Sequence, residues 1–538
     1  MNRSFLTGCC VILTGACLSS PGWGEDTAPP PLPFRISPET TYVTEPLTPT
    51  GLVNYVAWLN RDLSQGVTPE TNAAVLYWKA IGKNEGILED PEFVARLIRG
   101  LGTDPFADEG PTFIGLDRIA RAAGVEVDFN EESTLGSQYN LAMERPWKPH
   151  EAPLVYKWLY VNKEPLETVL QGTKRPHYYR PLFGTVDNDT MFGLRFPEIQ
   201  PFRELARMLS ARTLLALGEH RPEDAMRDLL AMHRLARHSA RGGTLMSVLV
   251  GIAVDSIAHE GDKQLSNSEA VTAGQLVRYA KQLSELSPWG DLQRSYQFER
   301  FAGLDLIQRL ASQQFPGDDG DDDPTGLLEL FGVETDSEVV NQLISLLFQH
   351  GVDWNQVMIG FNEHHDRLQG ILNQIDYAER FQELSDLAEE LETRSHAVSS
   401  HRTLVASLFA TPQQRAEVLT AMLIYALSPA LRQADEAGNR GNAKSVVSQV
   451  GVALAAYQKA NGEFPASLEA LVPDYLPKLP NDPYIGKPCV YRVDDEGAIV
   501  YSLGRNLKDD GGKSLRDDYD NHDHPFRVTT VDAPLPNR

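Results

Sequence analysis

The sequence is poor in cysteine and in positive charge, and it lacks an apolar run long enough to cross a bilayer. Of its 538 residues only four are cysteine, and three of these, Cys9, Cys10 and Cys17, fall close to the N-terminus. If that stretch is removed as an export signal, Cys489 stands alone and no intramolecular disulfide framework can form. A single cysteine beside Val490 in a strand-like run reads as a small buried hydrophobe rather than a nucleophile. The 49 basic residues against 74 acidic ones leave a net charge of −25. Such a surface repels nucleic-acid phosphates and anionic headgroups, so no nucleic acid is expected as a partner. Absent too are a Gly-x-Ser-x-Gly elbow, a phosphate-cradling glycine loop and a Cys-x-x-Cys pair, so no local signature of catalysis is present. Residues 245–254 and 418–431 are the most apolar internal stretches. Both are short and sit among charged helical sequence, which predicts buried helix and no transmembrane span in the mature chain.

What is present begins with an export signal. Arg3 supplies positive charge, residues 5–18 are apolar with small side chains, and Ser19-Ser20-Pro21-Gly22 forms a cleavage zone before Glu25. An apolar run of about 14 residues is too short to span roughly 30 Å of hydrocarbon as a helix. Residues 1–24 are therefore read as an export signal, and the protein as extracytoplasmic: periplasmic, held at the cell envelope, or secreted. Leu13-Thr14-Gly15-Ala16-Cys17 is similar to a lipoprotein box, which leaves a lipid anchor at Cys17 as the alternative to plain cleavage.

Prolines at 29, 30, 31 and 33 predict an extended linker over residues 25–50. From Gly51 helical spacing dominates: 52–63, 68–81 and short segments through 88–125. The stretch at about 145–200 breaks into aromatic and proline-rich pieces and is expected to be irregular. The clearest signal follows it. Residues 202–217 form one amphipathic helix ended by Gly218, and Pro222 opens a second, in the first turn where proline is tolerated. This αα-hairpin, with Ala216-Leu217-Gly218-Glu219 and Pro222-Glu223-Asp224-Ala225 at its turn, resembles the turn of a tetratricopeptide repeat, without a second copy at matching spacing. The body is expected over 51–315, an acidic loop over 316–325 and a second helical part over 326–429. From the acidic loop onward, Asp321, Asp323 and Gly326 match an EF-hand pattern in part, but Gly332 stands where its bidentate glutamate belongs.

The C-terminal part is the most informative. Val447, Val450, Leu454 and Tyr457 share a helical face that should end near Gly462. A short second helix over 464–472, a proline-rich loop, and a hairpin of strands 488–493 and 498–503 follow, with Asp494-Asp495-Glu496-Gly497 at the turn. The run from Ala455 to Pro465, the loop Leu476-Pro477-Lys478-Leu479-Pro480-Asn481-Asp482-Pro483-Tyr484, and the strand Val500-Tyr501-Ser502-Leu503-Gly504 resemble the globular domain of type II secretion major pseudopilins. The chain departs from that family by placing the long helix more than 400 residues from the N-terminus, without a processing site before it. The resemblance thus implies a soluble module over 430–530, with a tail at 531–538, and not a pilus subunit.

The resemblance further implies a calcium ion in the loop after the last strand. Ser502, Asn506, Asp509, Asp510, Asp517 and Asp518 are its candidate ligands, hard oxygens of the kind calcium takes. His522-Asp523-His524 has zinc-ligand residue types, whereas Glu363-His364-His365-Asp366 places its imidazoles about 100° apart on a helix. His259-Glu260 is read as a helix end. The expected fold is mainly α, a helical bundle or helical-hairpin body, with a small C-terminal α+β pseudopilin-like domain. The expected role is non-catalytic, in protein–protein interaction or structure, with an unidentified protein partner. The alternatives are an extracytoplasmic hydrolase with its site in the helical body, and an accessory of a secretion or pilus-like system.

Overall fold

Capping side chains set where several helices begin. Asn54, Asn72 and Asp90 each accept a hydrogen bond from a first-turn amide, and Thr272 with Gln275 makes a capping box. The computed structural model describes residues 31–82, 90–106, 111–184, 189–287, 289, 292–312, 314, 351–398, 410–427, 431–513 and 522–529. The expected export signal with Cys17, the expected acidic loop at 316–325, Asp517, Asp518 and the expected tail at 531–538 lie outside the described residues. The sixteen described helices are α1 Tyr55–Leu63, α2 Ala73–Ile81, α3 Pro91–Leu101, α4 Leu116–Ala122, α5 Thr134–Glu144, α6 Pro153–Val161, α7 Lys163–Thr173 and α8 Ile199–Gly218. They continue with α9 Pro222–Ala240, α10 Leu245–Ser266, α11 Ala273–Ser284, α12 Leu292–Ser312, α13 Trp354–Leu372, α14 Tyr377–Val398, α15 Pro412–Leu427 and α16 Leu431–Asn461. A three-stranded antiparallel sheet, β1 Val490–Asp494, β2 Gly497–Ser502 and β3 His524–Thr529, completes the fold.

The hairpin falls where the sequence places it, in α8 and α9. Gly218 closes α8 where a Cβ would collide with the Trp147 backbone, and Pro222 opens α9. Helix α10 packs against both, burying Val248, Val250 and Val254 in the first of the two apolar stretches. The second stretch begins in α15, with Leu419, Met422, Leu423 and Ile424 buried. No described helix is long and apolar enough to cross a membrane.

Three expectations are corrected. The stretch at 145–200 holds two helices, α6 and α7, because Pro153 and Pro165 both sit in first turns, where the missing amide has no intrahelical partner to lose. Residues 31–50 are not an extended linker: Phe34 and Thr41 are buried, and the Tyr55 hydroxyl donates to the Thr41 carbonyl at 2.9 Å. The 464–472 segment narrows to a 3₁₀ turn at Leu468–Leu471.

In the C-terminal part, α16 ends at Asn461, where Gly462 takes φ +77°. The hairpin β1–β2 pairs Val490 with Tyr501 and Asp494 with Gly497. Strand β3 was not expected; it pairs with β2 from Gly497↔Thr529 to Ser502↔His524, leaving β2 central and wholly buried. Gly451 of α16 gives the Phe526 ring of β3 its place. One continuous apolar core runs from Ala73 through the hairpin and α10 to Val447, Leu454, Val500 and Phe526. A second core joins residues 34–59 to α12, α13 and α15.

Candidate functional site

Helix α9 presents two different faces. Its inward face carries His233 and Arg237, one turn apart, against Asp255 and Asp262 of α10. His233 Nδ1 donates to Asp255 Oδ1 at 2.7 Å and Nε2 to Asp262 Oδ2 at 3.1 Å, so both ring nitrogens carry protons. Burial opposes that charge, but Asp262 and Asp255 outweigh it and push the imidazole up to about 9. Arg237 donates to Asp255 Oδ1 at 3.1 Å, to the Ser287 carbonyl at 2.8 Å and to Ser445 Oγ of α16 at 3.0 Å. The Tyr279 hydroxyl of α11 donates to Asp262 Oδ1 at 2.6 Å. Two cations thus balance two carboxylates in a sealed network that ties α9, α10, α11 and α16 together. His233, Arg237, Asp255 and Asp262 are too buried to meet a substrate, and their chemistry is positional; Tyr279 alone also borders the groove described next.

The outward face of α9 borders a groove. Glu223, Met226, Arg227, Leu230, Ala231 and Arg234 recur at helical spacing along it. Helix α7 contributes Leu170 and Thr173, followed by Lys174; α11 contributes Gln275, Arg278, Tyr279 and Gln282 across the gap. The cavity between them measures about 360 Å³. Arg227 pairs with Asp224 at 3.2 Å and Asp228 at 3.1 Å, and Arg278 with Glu223 at 2.6 Å. Arg234 is half-buried, and burial holds its guanidinium below its ordinary range. Beneath it His238 is buried and neutral, pushed down to about 3 by burial first and then by Arg241. The Tyr77 hydroxyl bonds His238 Nδ1 at 2.6 Å, and Nε2 donates to the Arg175 carbonyl at 3.0 Å.

The candidate metal ligands divide into two groups. Ser502 Oγ donates to Asp482 Oδ1 at 2.8 Å, which ties it to the proline-rich loop and away from the acidic loop. Asp509 accepts from the Tyr501 hydroxyl at 2.7 Å and the Gly511 amide at 2.9 Å. Asp510 accepts from Asn506 Nδ2 at 2.9 Å and the His522 amide at 2.8 Å. Beside them lies Asp523, fully buried: Oδ2 accepts from the Gly512 amide at 2.7 Å and Oδ1 has no partner. Burial first, then the charges of Asp510 and Asp509, push its carboxyl up to about 7. Among the described residues no three His, Cys, Asp or Glu side chains already stand together at metal-ligand range.

Four further histidines, His259, His364, His365 and His524, are packing residues. His364 and His365 stand with rings at 86° and are pushed down to about 4 and about 3, chiefly by burial. His259 lies inside α10, not at its end, and bonds Ser448 Oγ of α16 at 2.6 Å. His524 is buried in β3 and pushed down to about 3, again by burial first. Sequence reading missed the groove and the His233 network. The available signal for the network was polar residues at i, i+4 on α9 and i, i+7 on α10, on faces that are otherwise apolar. No protein-family model, no curated protein and no solved structure matches the chain.

Proposed function

We propose that the protein is an exported, non-catalytic interaction protein whose α7–α9–α11 groove receives a segment of a protein partner. The groove carries this reading: about 360 Å³ open beside the tetratricopeptide-like hairpin, with an apolar floor of Leu170, Met226 and Leu230. That volume is at the small end of the roughly 300–1,000 Å³ typical of ligand pockets, so it suits a few side chains of an extended segment. The rigid His233 network behind α9 supports the same reading, since a binding face built on locked helices is ordered before the partner arrives. The pseudopilin-like part serves as a docking or capping unit. Calcium, held by Asp509, Asp510 and Asn506 with Asp523 behind them, would offset the mutual repulsion of those carboxylates.

The test is site-specific photo-crosslinking in cells that export the protein. A photoreactive residue at Gln282, exposed on the groove rim, is expected to trap a discrete protein adduct. The same residue at Tyr160, 70% exposed on α6, should not. No adduct from Gln282, or one identical adduct from both positions, removes the groove as the interaction site.

A further inference from the structure

The charge around the groove runs against the charge of the whole chain. In a protein of net charge −25, Lys174 and Arg234 line the groove, while Arg175, which faces Glu70, and Arg241 lie beside the buried His238. Arg175 donates to the Pro69 and Asn72 carbonyls, each at 2.7 Å, and Arg241 to the Pro176 carbonyl at 3.0 Å; none of these acceptors is a carboxylate. Among the described residues Arg234 makes no hydrogen bond or ion pair, and Lys174 reaches no acidic side chain. A half-buried guanidinium without a counter-ion has lost part of its hydration and regains nothing from the protein. An anion supplied from outside would restore that balance. His238 directly beneath adds no acidity to satisfy Arg234, because its neutral ring is fully used by Tyr77 and the Arg175 carbonyl.

We propose that the groove selects an acidic peptide segment, with Arg234 and Lys174 taking its carboxylates while Leu170, Met226 and Leu230 receive the intervening apolar side chains. The proposal deepens the interaction reading above and rests on it. The occupant follows from two facts together. The floor is apolar, which a bare phosphate or citrate would leave uncovered. The chain as a whole carries a net charge of −25, which repels a long polyanion but not a short segment held within one Debye length, about 8–10 Å, of Arg234 and Lys174. Arg227 and Arg278 already hold Asp224, Asp228 and Glu223, so they frame the groove and leave recognition to the two unpaired cations.

The experiment uses the full-length mature chain and fluorescence anisotropy with two short labelled peptides, one alternating leucine and glutamate, the other with glutamine in place of glutamate. A charge-assisted hydrogen bond contributes about 1.5–3 kcal/mol, so the glutamine peptide should bind at least about tenfold more weakly. Arg234→Gln should weaken the glutamate peptide by about tenfold and Lys174→Gln severalfold, with affinity falling as salt rises. The thermal midpoint of Arg234→Gln should be unchanged or raised, since the arginine it removes has no partner; this separates lost recognition from lost folding. Equal binding of both peptides, blocked by Gln282→Trp, would overturn the acidic preference while leaving the groove as an interaction site. Binding that ignores Gln282→Trp, or no binding of either peptide, would overturn the proposal outright.

Discussion

His233 carries a charge where an isolated charge could not persist. It is buried between Asp255 and Asp262, with Arg237 and Tyr279 closing the set. Its folded-state value of about 9 lies above the ordinary 6.5 of an unfolded histidine. The stabilisation it gives is therefore complete below about pH 6.5 and is lost as pH rises through about 9. Chemical denaturation at pH 6 and pH 9.5 should show the native chain losing on the order of 3 kcal/mol across that window. His233→Gln should flatten the dependence and cost about 3–5 kcal/mol at pH 6, because it leaves buried carboxylates uncompensated. A variant that keeps the native pH profile would show that some other group titrates. The sequence shows the four residue types, but their pairing across two helices is a tertiary fact that no spacing along one helix announces.

Glycine has opposite consequences in two of the helices. Gly370 of α13 is exposed, with open space where a Cβ would go. Gly370→Ala should therefore stabilise by up to about 1 kcal/mol, the ordinary helix-propensity gain. Gly451 of α16 is buried, and a Cβ there would overlap the Phe526 ring. Gly451→Ala should destabilise by about 1–3 kcal/mol despite its better propensity, the usual magnitude for an overfilled core. Thermal melts of the two variants should move in opposite directions; a stabilising Gly451→Ala would mean that α16 and β3 do not pack as described. Elements whose breaks are local, such as the Gly218–Pro222 turn and the end of α16 at Gly462, are legible in the sequence. Helices α6 and α7 were hidden because prolines read as interruptions until their first-turn positions are known. Strand β3 was hidden because its six residues alternate in burial too briefly to stand out from a polar tail.

At the scale of the molecule the C-terminal α+β part shares its core with the body. Val447, Leu454 and Phe526 belong to the same apolar cluster as Leu229, Leu235 and Val254, and Arg237 reaches Ser445 of α16. A calcium response therefore belongs to the whole chain and should be measured there. At calcium a hundredfold above its dissociation constant, a native-only site adds about 2.7 kcal/mol, which raises the thermal midpoint; magnesium should not. Asp509→Ala and Asp510→Ala should abolish the rise. Asp523→Asn should abolish it too, yet raise the calcium-free midpoint at pH 8, because it removes a buried carboxyl that resists ionisation up to about pH 7. A midpoint indifferent to calcium would reduce the loop to solvated acidic surface.

The sequence by itself determined the helical class, the α8–α9 hairpin, and the order of helix, proline-rich loop and β-hairpin near the C-terminus. These follow from periodicity, from glycine and proline at helix ends, and from composition, all readable within a few turns of chain. Tertiary structure alone decided that α16 packs on α10 and α11, that Asp523 faces Asp509 and Asp510, and that unpaired cations gather beside α9. The reason is physical: burial, counter-ions and apolar contacts come from residues distant in sequence, and those distances exist only once the chain has folded.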